Sequence, residues 1–219
     1  MDRCELLDTN SIVAFNRYSK ELDDLPEMPH MFLEFSGSDE SSVRERVNFA
    51  SKICSEDFGC SSFIATSDAS ERRRLWSARH QLYYASLALR PGSSGIVTDV
   101  CVPLSKLADI IQSTADDVEE LQVIGPCFGH CGDGNFHCIL PVLDSDDDDY
   151  RYRVEEVNRR LIKRAIAVEG TVTGEHGVGT GKIKYLPEMY GQEAIDMMIS
   201  VKTALDPDNI MNPGKVLSL

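Results

Sequence analysis

The sequence contains no apolar run that approaches the roughly 20 residues of a membrane-spanning helix. Basic residues are also scarce, since 22 Lys and Arg stand against 36 Asp and Glu, for a net charge of −14. Such an acidic chain repels nucleic acid and anionic membrane surfaces, so neither is expected as its main partner. The first residues show neither the apolar core of a signal peptide nor the Arg-rich, acid-poor composition of a transit peptide. We therefore expect a soluble globular protein with no targeting sequence.

The sequence also lacks paired-cysteine motifs and nucleotide-binding motifs. The seven cysteines are an odd number without any C-x-x-C pair, which predicts reduced thiols in an intracellular protein. No G-x-G-x-x-G opens a helix after a strand. Residues 176–183 superficially resemble a phosphate-binding loop, but they lack a glycine five residues before Gly181 and a Ser or Thr after Lys182. The chain therefore carries no recognisable dinucleotide or phosphate loop.

Apolar runs and helical periodicity alternate along the 219 residues without repeats. Helices are predicted at about 40–57, 69–86, 103–119, 150–168 and 191–204, with strands at 31–35, 61–66 and 96–102 and a hairpin around 133–134. This mixed order, with both helical crossovers and a hairpin, indicates an α+β fold. We expect a ferredoxin-like mixed or antiparallel sheet with helices packed on one face, rather than a doubly wound sheet. Residues 1–30 have little periodicity and are expected to be a lead-in segment.

Two of the five histidines lie symmetrically about an Asp-Gly turn signal at 133–134. In a tight hairpin centred there, His130 is predicted to lie directly opposite His137, with Cβ atoms roughly 4.5–5.5 Å apart. Both imidazoles can then bind one ion, or they can simply hydrogen-bond each other. The nearby cysteines have the opposite parity, which disfavours a Cys/His zinc knot at 127–138.

A second cluster places Glu175 and His176 among glycines that allow a close approach of backbone and ligand. Two imidazoles and one carboxylate with an open fourth position are the ligand set of a catalytic divalent site. Glu175 can bind the metal while His176 meets the substrate as a base. A zinc hydrolase also fits this ligand set.

Several motifs identify the chain as similar to a known family. The motifs are GHCGDGNFH (129–137), GEHGVG (174–179), LDPDNIMNPGK (205–215), LWSARH (75–80), RPG (90–92) and TDVCVP (98–103). Together and in this order they resemble the C-terminal half of FAD-linked 2-hydroxy-acid dehydrogenases, and most of all the mitochondrial D-lactate dehydrogenase (cytochrome) branch. The likeness covers essentially the whole chain.

The resemblance implies a fold and roles for seven residues. Residues 31–219 are expected to form the FAD-linked oxidase C-terminal cap domain, while the FAD-binding domain that precedes it in the family is absent from this chain. The implied divalent metal, usually zinc, is held by His130, His137 and Glu175. His176 is implied to handle the substrate hydroxyl proton, and Arg79 to pair with the substrate carboxylate. Asn212 and Lys215 match a terminal motif that approaches the flavin.

Arg79, Asn212 and Lys215 each also have an ordinary structural interpretation. A helical arginine such as Arg79 is often an ordinary surface ion pair, and the Asn-Pro-Gly that begins at Asn212 and precedes Lys215 is equally a plain turn.

The expected function is the substrate- and metal-binding part of an FAD-linked D-2-hydroxy-acid dehydrogenase. In the family, members that act on dicarboxylates carry a polar residue in the place of Ile139 and a lysine in the place of Val97. Two apolar residues favour a short uncharged tail, as in D-lactate, because a second buried carboxylate would lack a partner. The resemblance also implies cytochrome c as electron acceptor and a mitochondrial location; without a targeting sequence, a cytoplasmic location is the alternative.

The missing FAD domain motivates a different class of function. The chain is then a stand-alone, non-catalytic binding or scaffold protein, and some relatives carry an actin-interacting label, although no dedicated actin-binding motif is present. If a flavin domain normally covers one side, isolation of the cap exposes an apolar face that favours a homo-oligomer.

Overall fold

A computed structural model describes residues 1–19 and 25–219 of the chain. These residues form two compact units. Unit 1 comprises Met1–Ile96, Ile124–Gly132 and Ile139–Asp146, and unit 2 comprises Val97–Val123, Asp133–Cys138 and Asp147–Leu219. Within the part that the structure describes, every helix is too short or too polar to span a membrane.

The strands are β1 (Arg3–Leu7), β2 (His30–Glu34), β3 (Ser94–Val97), β4 (Val100–Cys101), β5 (Cys127–His130) and β6 (Asn135–Val142). They follow the order β2-β1-β5-β6-β3, and β4 pairs separately with β6. The pairs β1–β2, β1–β5 and β4–β6 are antiparallel. The first four residues of β6 belong to unit 2 and its remainder to unit 1. The predicted α+β class with an antiparallel sheet is confirmed.

The helices are α1 (Thr9–Tyr18), α2 (Glu40–Lys52), α3 (Ala69–His80), α4 (Leu82–Ala88), α5 (Leu104–Glu120), α6 (Asp148–Ala167), α7 (Leu186–Tyr190) and α8 (Gln192–Leu205). A π-helical turn, Ile53–Asp57, extends α2 to the end predicted from the sequence. Side-chain caps explain where the helices begin. Asp39 and Asp68 each accept hydrogen bonds from backbone N–H groups of the first turn of α2 and α3, which satisfies donors that the helix itself leaves unpaired.

Residues 1–30, which were expected to be a lead-in segment, contain a strand and a helix. β1 pairs with β2 on one side and with β5 on the other, and the side chains of Ile12 and Phe15 on α1 are fully buried. A five-residue strand and a ten-residue helix are each too short for their hydrophobic periodicity to be recognised in the sequence. Residues 20–24, within the same segment, lie outside the described residues.

Two predicted strands and one predicted helix are corrected. Residues 61–66 pair with no strand among the described residues, and the Ile64 side chain is 90% exposed. The strand expected at 96–102 is interrupted at Thr98 and Asp99, between β3 and β4. The helix expected after Asp68 is divided at Gln81, which ends α3 and begins α4.

The hairpin turn also differs from the prediction. Instead of a two-residue Asp-Gly turn, a 3-10 turn occupies Cys131–Asp133, and Gly134 follows at φ +77. A Cβ atom at Gly134 would lie 2.1 Å from the carbonyl oxygen of Val102, so only glycine fits. The Ile139 N–H donates to the Pro126 oxygen at 3.0 Å, whereas the predicted pairing of His130 with His137 would place Ile139 opposite Phe128. The predicted register is therefore wrong by two residues, because the turn is longer than two residues.

Each unit has its own apolar core. In unit 1, residues of β1, α1, α4 and β6 are buried together, among them Leu7, Ile12, Phe15, Leu82 and Leu140. In unit 2, α5 and α6 carry buried residues that include Leu107, Ile110, Val154, Val157 and Leu161. A smaller cluster of Leu186, Ile195 and Leu217 contacts Val178. It connects the glycine-rich segment to α7, α8 and the C-terminal residues.

Candidate functional site

His137 is fixed in unit 2 by the interruption between β3 and β4. Its Nδ1 lies 3.0 Å from the Thr98 carbonyl oxygen, and its side chain is 5% exposed. Since a carbonyl only accepts, Nδ1 carries the hydrogen and Nε2 carries a lone pair. Burial lowers the pKa of His137, although the Thr98 carbonyl and the Asp99 charge act in the opposite direction. The neutral imidazole with Nε2 unprotonated is the form that binds metal ions.

Glu175 faces that lone pair. Its Oε1 lies 2.9 Å from His137 Nε2, so a carboxylate oxygen and an imidazole nitrogen, both of which can bind a metal ion, lie next to each other. A zinc ion with tetrahedral bonds of about 2.0–2.2 Å to nitrogen and oxygen places neighbouring ligand atoms roughly 3.3–3.6 Å apart. A small outward shift of the partly exposed Glu175 side chain would therefore let this pair hold a divalent cation.

Asp99 organises the backbone that carries Glu175 and His176. Its carboxylate accepts the N–H of Glu175 at 3.2 Å and that of His176 at 2.9 Å. The ammonium of Lys182 also donates to it, at 3.2 Å. Burial alone raises the pKa of Asp99, but the hydrogen bonds from His176, Asn135 and Thr173 and the charge of Lys182 outweigh it and hold that pKa well below its usual value. Asp99 is thus a buried anion with a full set of donors.

Asn135 and Gly174 form the neighbouring part of the site. The Asn135 amide donates to Asp99 Oδ1 at 3.0 Å and to the Val100 oxygen at 2.9 Å. Its own Oδ1 is buried and has no hydrogen-bond partner among the described residues, which leaves an acceptor for a ligand. A Cβ atom at Gly174 would lie 2.0 Å from Asn135 Nδ2, so the glycine permits this close approach.

His176 lies beside these groups and is more exposed. Its ring stacks on that of His137 at 4.9 Å between centroids and an interplanar angle of 14°. Its Nε2 is 3.5 Å from Glu175 Oε1, and its side chain is about half exposed. An accessible imidazole next to a buried metal-ligand pair is suited to exchange a proton with a bound ligand.

Arg79 and His130 lie in unit 1, where Glu5 joins them. Arg79 Nε is 2.9 Å from Glu5 Oε2, and His130 Nδ1 is 2.6 Å from Glu5 Oε1. The Arg79 guanidinium also lies over the Phe128 ring, at 4.9 Å from its centroid. Arg79 thus forms an ion pair with Glu5, and its side chain is only 12% exposed.

Asn212 and Lys215 are exposed and lie in a turn after α8. Asn212 has φ +49, and the Lys215 N–H donates to the Asn212 oxygen at 3.2 Å. The next residue, Val216, donates its N–H to the Gly179 oxygen at 2.8 Å. This bond attaches the terminal turn to the glycine-rich segment that follows His176.

The sequence-predicted residues thus divide between the two units. Unit 2 holds His137, Glu175, His176, Asn212 and Lys215, and unit 1 holds Arg79 and His130. Two residues that contact these residues within their own units, Asp99 and Glu5, were not assigned roles from the sequence. Asp99 lies in the TDVCVP motif, so its position in a family motif could have marked it as a candidate site residue. Glu5 lies in a segment without a recognisable pattern.

A protein-family model described as "FAD linked oxidases, C-terminal domain" matches residues 1–216. Curated relatives include a probable mitochondrial D-lactate dehydrogenase of Danio rerio, 47% identical over 99% of this chain and 43% of the relative. A mitochondrial D-lactate dehydrogenase [cytochrome] of Arabidopsis thaliana is 38% identical over 99% of this chain and 37% of the relative. The chain therefore spans less than half the length of these relatives.

A more distant relative and one solved structure complete the comparison. A probable mitochondrial D-2-hydroxyglutarate dehydrogenase of Oryza sativa subsp. indica is 28% identical over 97% of this chain and 37% of the relative. The structure of 4-ethylphenol oxidase from Gulosibacter chungangensis, an isoeugenol complex, superimposes with a TM-score of 0.65 at 14% identity, over 98% of this chain and 47% of that one. The likeness to this structure concerns the fold alone.

Proposed function

The chain belongs to the FAD-linked oxidase family through its C-terminal domain, and we propose that it is the substrate- and metal-binding part of a D-2-hydroxy-acid dehydrogenase that oxidises D-lactate to pyruvate. The observation that carries this proposal is the 2.9 Å approach of His137 Nε2 to Glu175 Oε1. Beside that pair lie an accessible imidazole, His176, and a buried acceptor, Asn135 Oδ1. The names of the relatives support the choice of a hydroxy acid.

The proposed metal ligands are His130, His137 and Glu175, each of which offers one ligand atom. For both histidines the Nδ1 atom is engaged by an oxygen acceptor, so Nε2 is the nitrogen that each would offer to the ion. Two imidazoles and a carboxylate with a further open position are a common zinc set. When bound, zinc supplies a Lewis acid that lowers the pKa of the substrate hydroxyl, and FAD supplies the acceptor for the electron pair that leaves C2 with its hydrogen.

The chain's own residues provide binding and proton transfer. Arg79 binds the substrate carboxylate through its guanidinium. His176 accepts the hydroxyl proton at an imidazole nitrogen, and its stacking on His137 keeps the ring in place. Loss of this proton and of the C2 hydrogen with its electron pair converts the hydroxyl carbon to a carbonyl.

The preference for a short substrate rests on Ile139 and Val97. Ile139 is fully buried and Val97 is partly buried, and neither can neutralise a second carboxylate. The D-lactate dehydrogenase relatives of Danio rerio and Arabidopsis thaliana have higher identity to this chain than the D-2-hydroxyglutarate dehydrogenase relative. We propose D-lactate over a dicarboxylate for both reasons.

Three further elements of the proposal extend the family likeness. Asn212 and Lys215, in the exposed turn joined to Gly179, approach the flavin. The electron acceptor is cytochrome c, and the name of the Arabidopsis thaliana relative includes the word cytochrome. The location is the mitochondrion, as the names of the relatives state for those proteins.

Zinc binding by the purified chain tests the metal assignment. Competition with a zinc chelator measures the zinc affinity of the wild type and of His137→Ala. His80→Ala is the matched control, because His80 is exposed and is not among the proposed metal ligands. We expect His137→Ala to lower the zinc affinity by more than the roughly 10- to 100-fold that is typical when a residue hydrogen-bonded to a metal ligand is changed. His80→Ala should bind zinc with the wild-type affinity. Equal affinity of all three proteins would refute the metal site.

Oxidation of D-lactate tests the activity. The chain is assayed with FAD and a dye acceptor, and in its longer natural form where one exists, with L-lactate and D-2-hydroxyglutarate as comparison substrates. We expect metal-dependent turnover of D-lactate that His176→Gln abolishes. If the natural protein binds zinc and yet oxidises none of the three acids, the stand-alone binding protein replaces the enzyme.

A further inference from the structure

Glu5 is a buried carboxylate whose two oxygens serve two different partners in unit 1. Oε2 accepts from Arg79 Nε at 2.9 Å, and Oε1 lies 2.6 Å from His130 Nδ1. The Glu5 side chain is 8% exposed. The register of the sheet creates this arrangement, since Glu5 on β1 lies directly opposite His130 on β5.

The contact with Glu5 determines which nitrogen of His130 carries the hydrogen. A carboxylate paired with a guanidinium is ionised and only accepts hydrogen bonds, so His130 Nδ1 carries the hydrogen. The lone pair is then on Nε2, as it is in His137. Carboxylates that hold the second nitrogen of a metal-binding histidine orient the ring and increase its basicity.

The same carboxylate determines which edge of Arg79 is available. Nε is bonded to Glu5, and the plane of the guanidinium lies over the Phe128 ring. Within residues 1–19 and 25–219 the two terminal nitrogens of Arg79 form no hydrogen bond. They present two parallel donors in the geometry that matches a carboxylate.

We propose that Glu5 is a positioning residue for the hydroxy-acid site: it fixes the Nδ1–H tautomer of His130 and turns the terminal nitrogens of Arg79 toward the substrate carboxylate, which binds end-on. The inference rests on the proposed function. Glu5 contacts neither substrate nor metal, and it acts only through its two partners. One side chain thereby connects the carboxylate anchor with a metal ligand.

The first test is the tautomer of His130 in the metal-free chain. Long-range nitrogen–proton NMR correlations in mildly alkaline buffer distinguish the two ring nitrogens. We expect the Nδ1–H form in the wild type and a loss of that preference in Glu5→Ala. The Nε2–H form in the wild type overturns the proposal, and this readout requires neither metal nor turnover.

The second test compares Glu5→Gln with Glu34→Gln, a matched control on β2 whose carboxylate pairs with the more exposed Arg3. Glutamine has one acceptor oxygen and cannot serve both partners. We expect Glu5→Gln to lower zinc affinity by about 10- to 100-fold and to raise the KM for D-lactate more than it lowers kcat. Glu34→Gln should change neither quantity. Wild-type zinc affinity and KM in Glu5→Gln, or equal losses in both variants, contradict a positioning role.

The two proposals fail in different ways. If the wild type binds no zinc and oxidises no hydroxy acid, the proposed function fails even when the His130 tautomer depends on Glu5. If the wild type is active but the tautomer is unaffected by Glu5, only the positioning role fails.

Discussion

Asp8 shows how one buried carboxylate makes stability depend on pH. It caps α1 by accepting from the N–H and hydroxyl of Ser11. Burial raises its pKa to about 6, although the bonds from Ser11 and Cys127 lower it in part. A folded-state pKa above the unfolded one means that the folded protein binds the extra proton. The contribution of Asp8 to stability is therefore fully present below about pH 4 and is lost as the pH rises through about 6.

Replacement of Asp8 by asparagine tests this dependence. Asparagine retains the capping oxygen and has no charge to desolvate. We expect the free energy of unfolding of Asp8→Asn, relative to the wild type, to rise by about 2–3 kcal/mol between about pH 4 and pH 7.5. Denaturant unfolding at several pH values measures it. Asp39 caps α2 but is exposed, and hydrogen bonds from Ser41 and Ser42 lower its pKa, so Asp39→Asn should show no such rise above about pH 5.

Gly174 gives a second prediction at the scale of one residue. The Cβ atom of an alanine there would lie 2.0 Å from Asn135 Nδ2, which forces apart the Asn135–Asp99 bond and displaces Glu175. We expect Gly174→Ala to cost about 1–3 kcal/mol of stability and to weaken zinc binding. Gly181→Ala is the matched control, since no atom lies within 4 Å of its added Cβ. Thermal unfolding and chelator competition on both variants decide the matter, and equal behaviour of the two contradicts the argument.

The candidate site was predictable from the sequence only where its residues share short motifs. His130, His137, Glu175 and His176 stand in two motifs with unusual spacing. Glu5 did not stand out, because its role arises from a strand pairing between residues 125 positions apart. A pairing of this length leaves no local pattern to read.

Among the elements, the packing of α5 against α6 depends on a polar cluster. The Asp117 side chain is buried and accepts hydrogen bonds from Arg160 at 2.7 Å and from Arg164. Burial alone raises the pKa of Asp117, but the hydrogen bonds and charges of these two arginines outweigh it and lower that pKa below its usual value. This contribution to stability is present above the unfolded pKa of about 3.9 and is lost as the pH falls through the folded one.

We therefore expect Asp117→Asn to lose about 1–3 kcal/mol of stability near neutral pH, because two partly exposed arginines lose their shared partner. The loss should shrink in acid, where the wild-type carboxylate is itself protonated. Asp116→Asn is the control on the same helix, since Asp116 is exposed and bonds only Gln112 among the described residues. Urea unfolding of both variants at neutral and acidic pH measures the difference. A pH-independent loss would show that packing, not charge, connects the helices.

Helices were predicted better than strands, and the reason is physical. A cap such as Asp39 or Asp68 and a repeat of 3.6 residues are local, so they mark α2 and α3 without knowledge of the fold. Strands require partners. Residues 61–66 have strand-like composition but no pairing strand in the described structure, while the short β1 lies between two strands. The hairpin register depended on the length of its turn, which the 3-10 residues 131–133 increased.

At the scale of the whole molecule, the net charge of −14 attracts any divalent cation. Specific binding must therefore be distinguished from this general attraction. Imidazole nitrogens favour zinc over magnesium, and a ligand that binds only the folded state stabilises it by about 2.7 kcal/mol at 100 times its dissociation constant. For a chain of this size we expect zinc to raise the Tm by about 5–10 °C, and magnesium at equal concentration to raise it far less.

The zinc effect on Tm should vanish in His137→Ala and persist in His80→Ala, while the small magnesium effect should be the same in all three proteins. Added EDTA should return the wild-type Tm to its metal-free value. Scanning calorimetry with each ion, at constant ionic strength, measures these shifts. An equal rise with zinc and magnesium, or a zinc effect that survives in His137→Ala, would assign the stabilisation to the acidic surface, because only the specific site requires the lone pair of His137 Nε2.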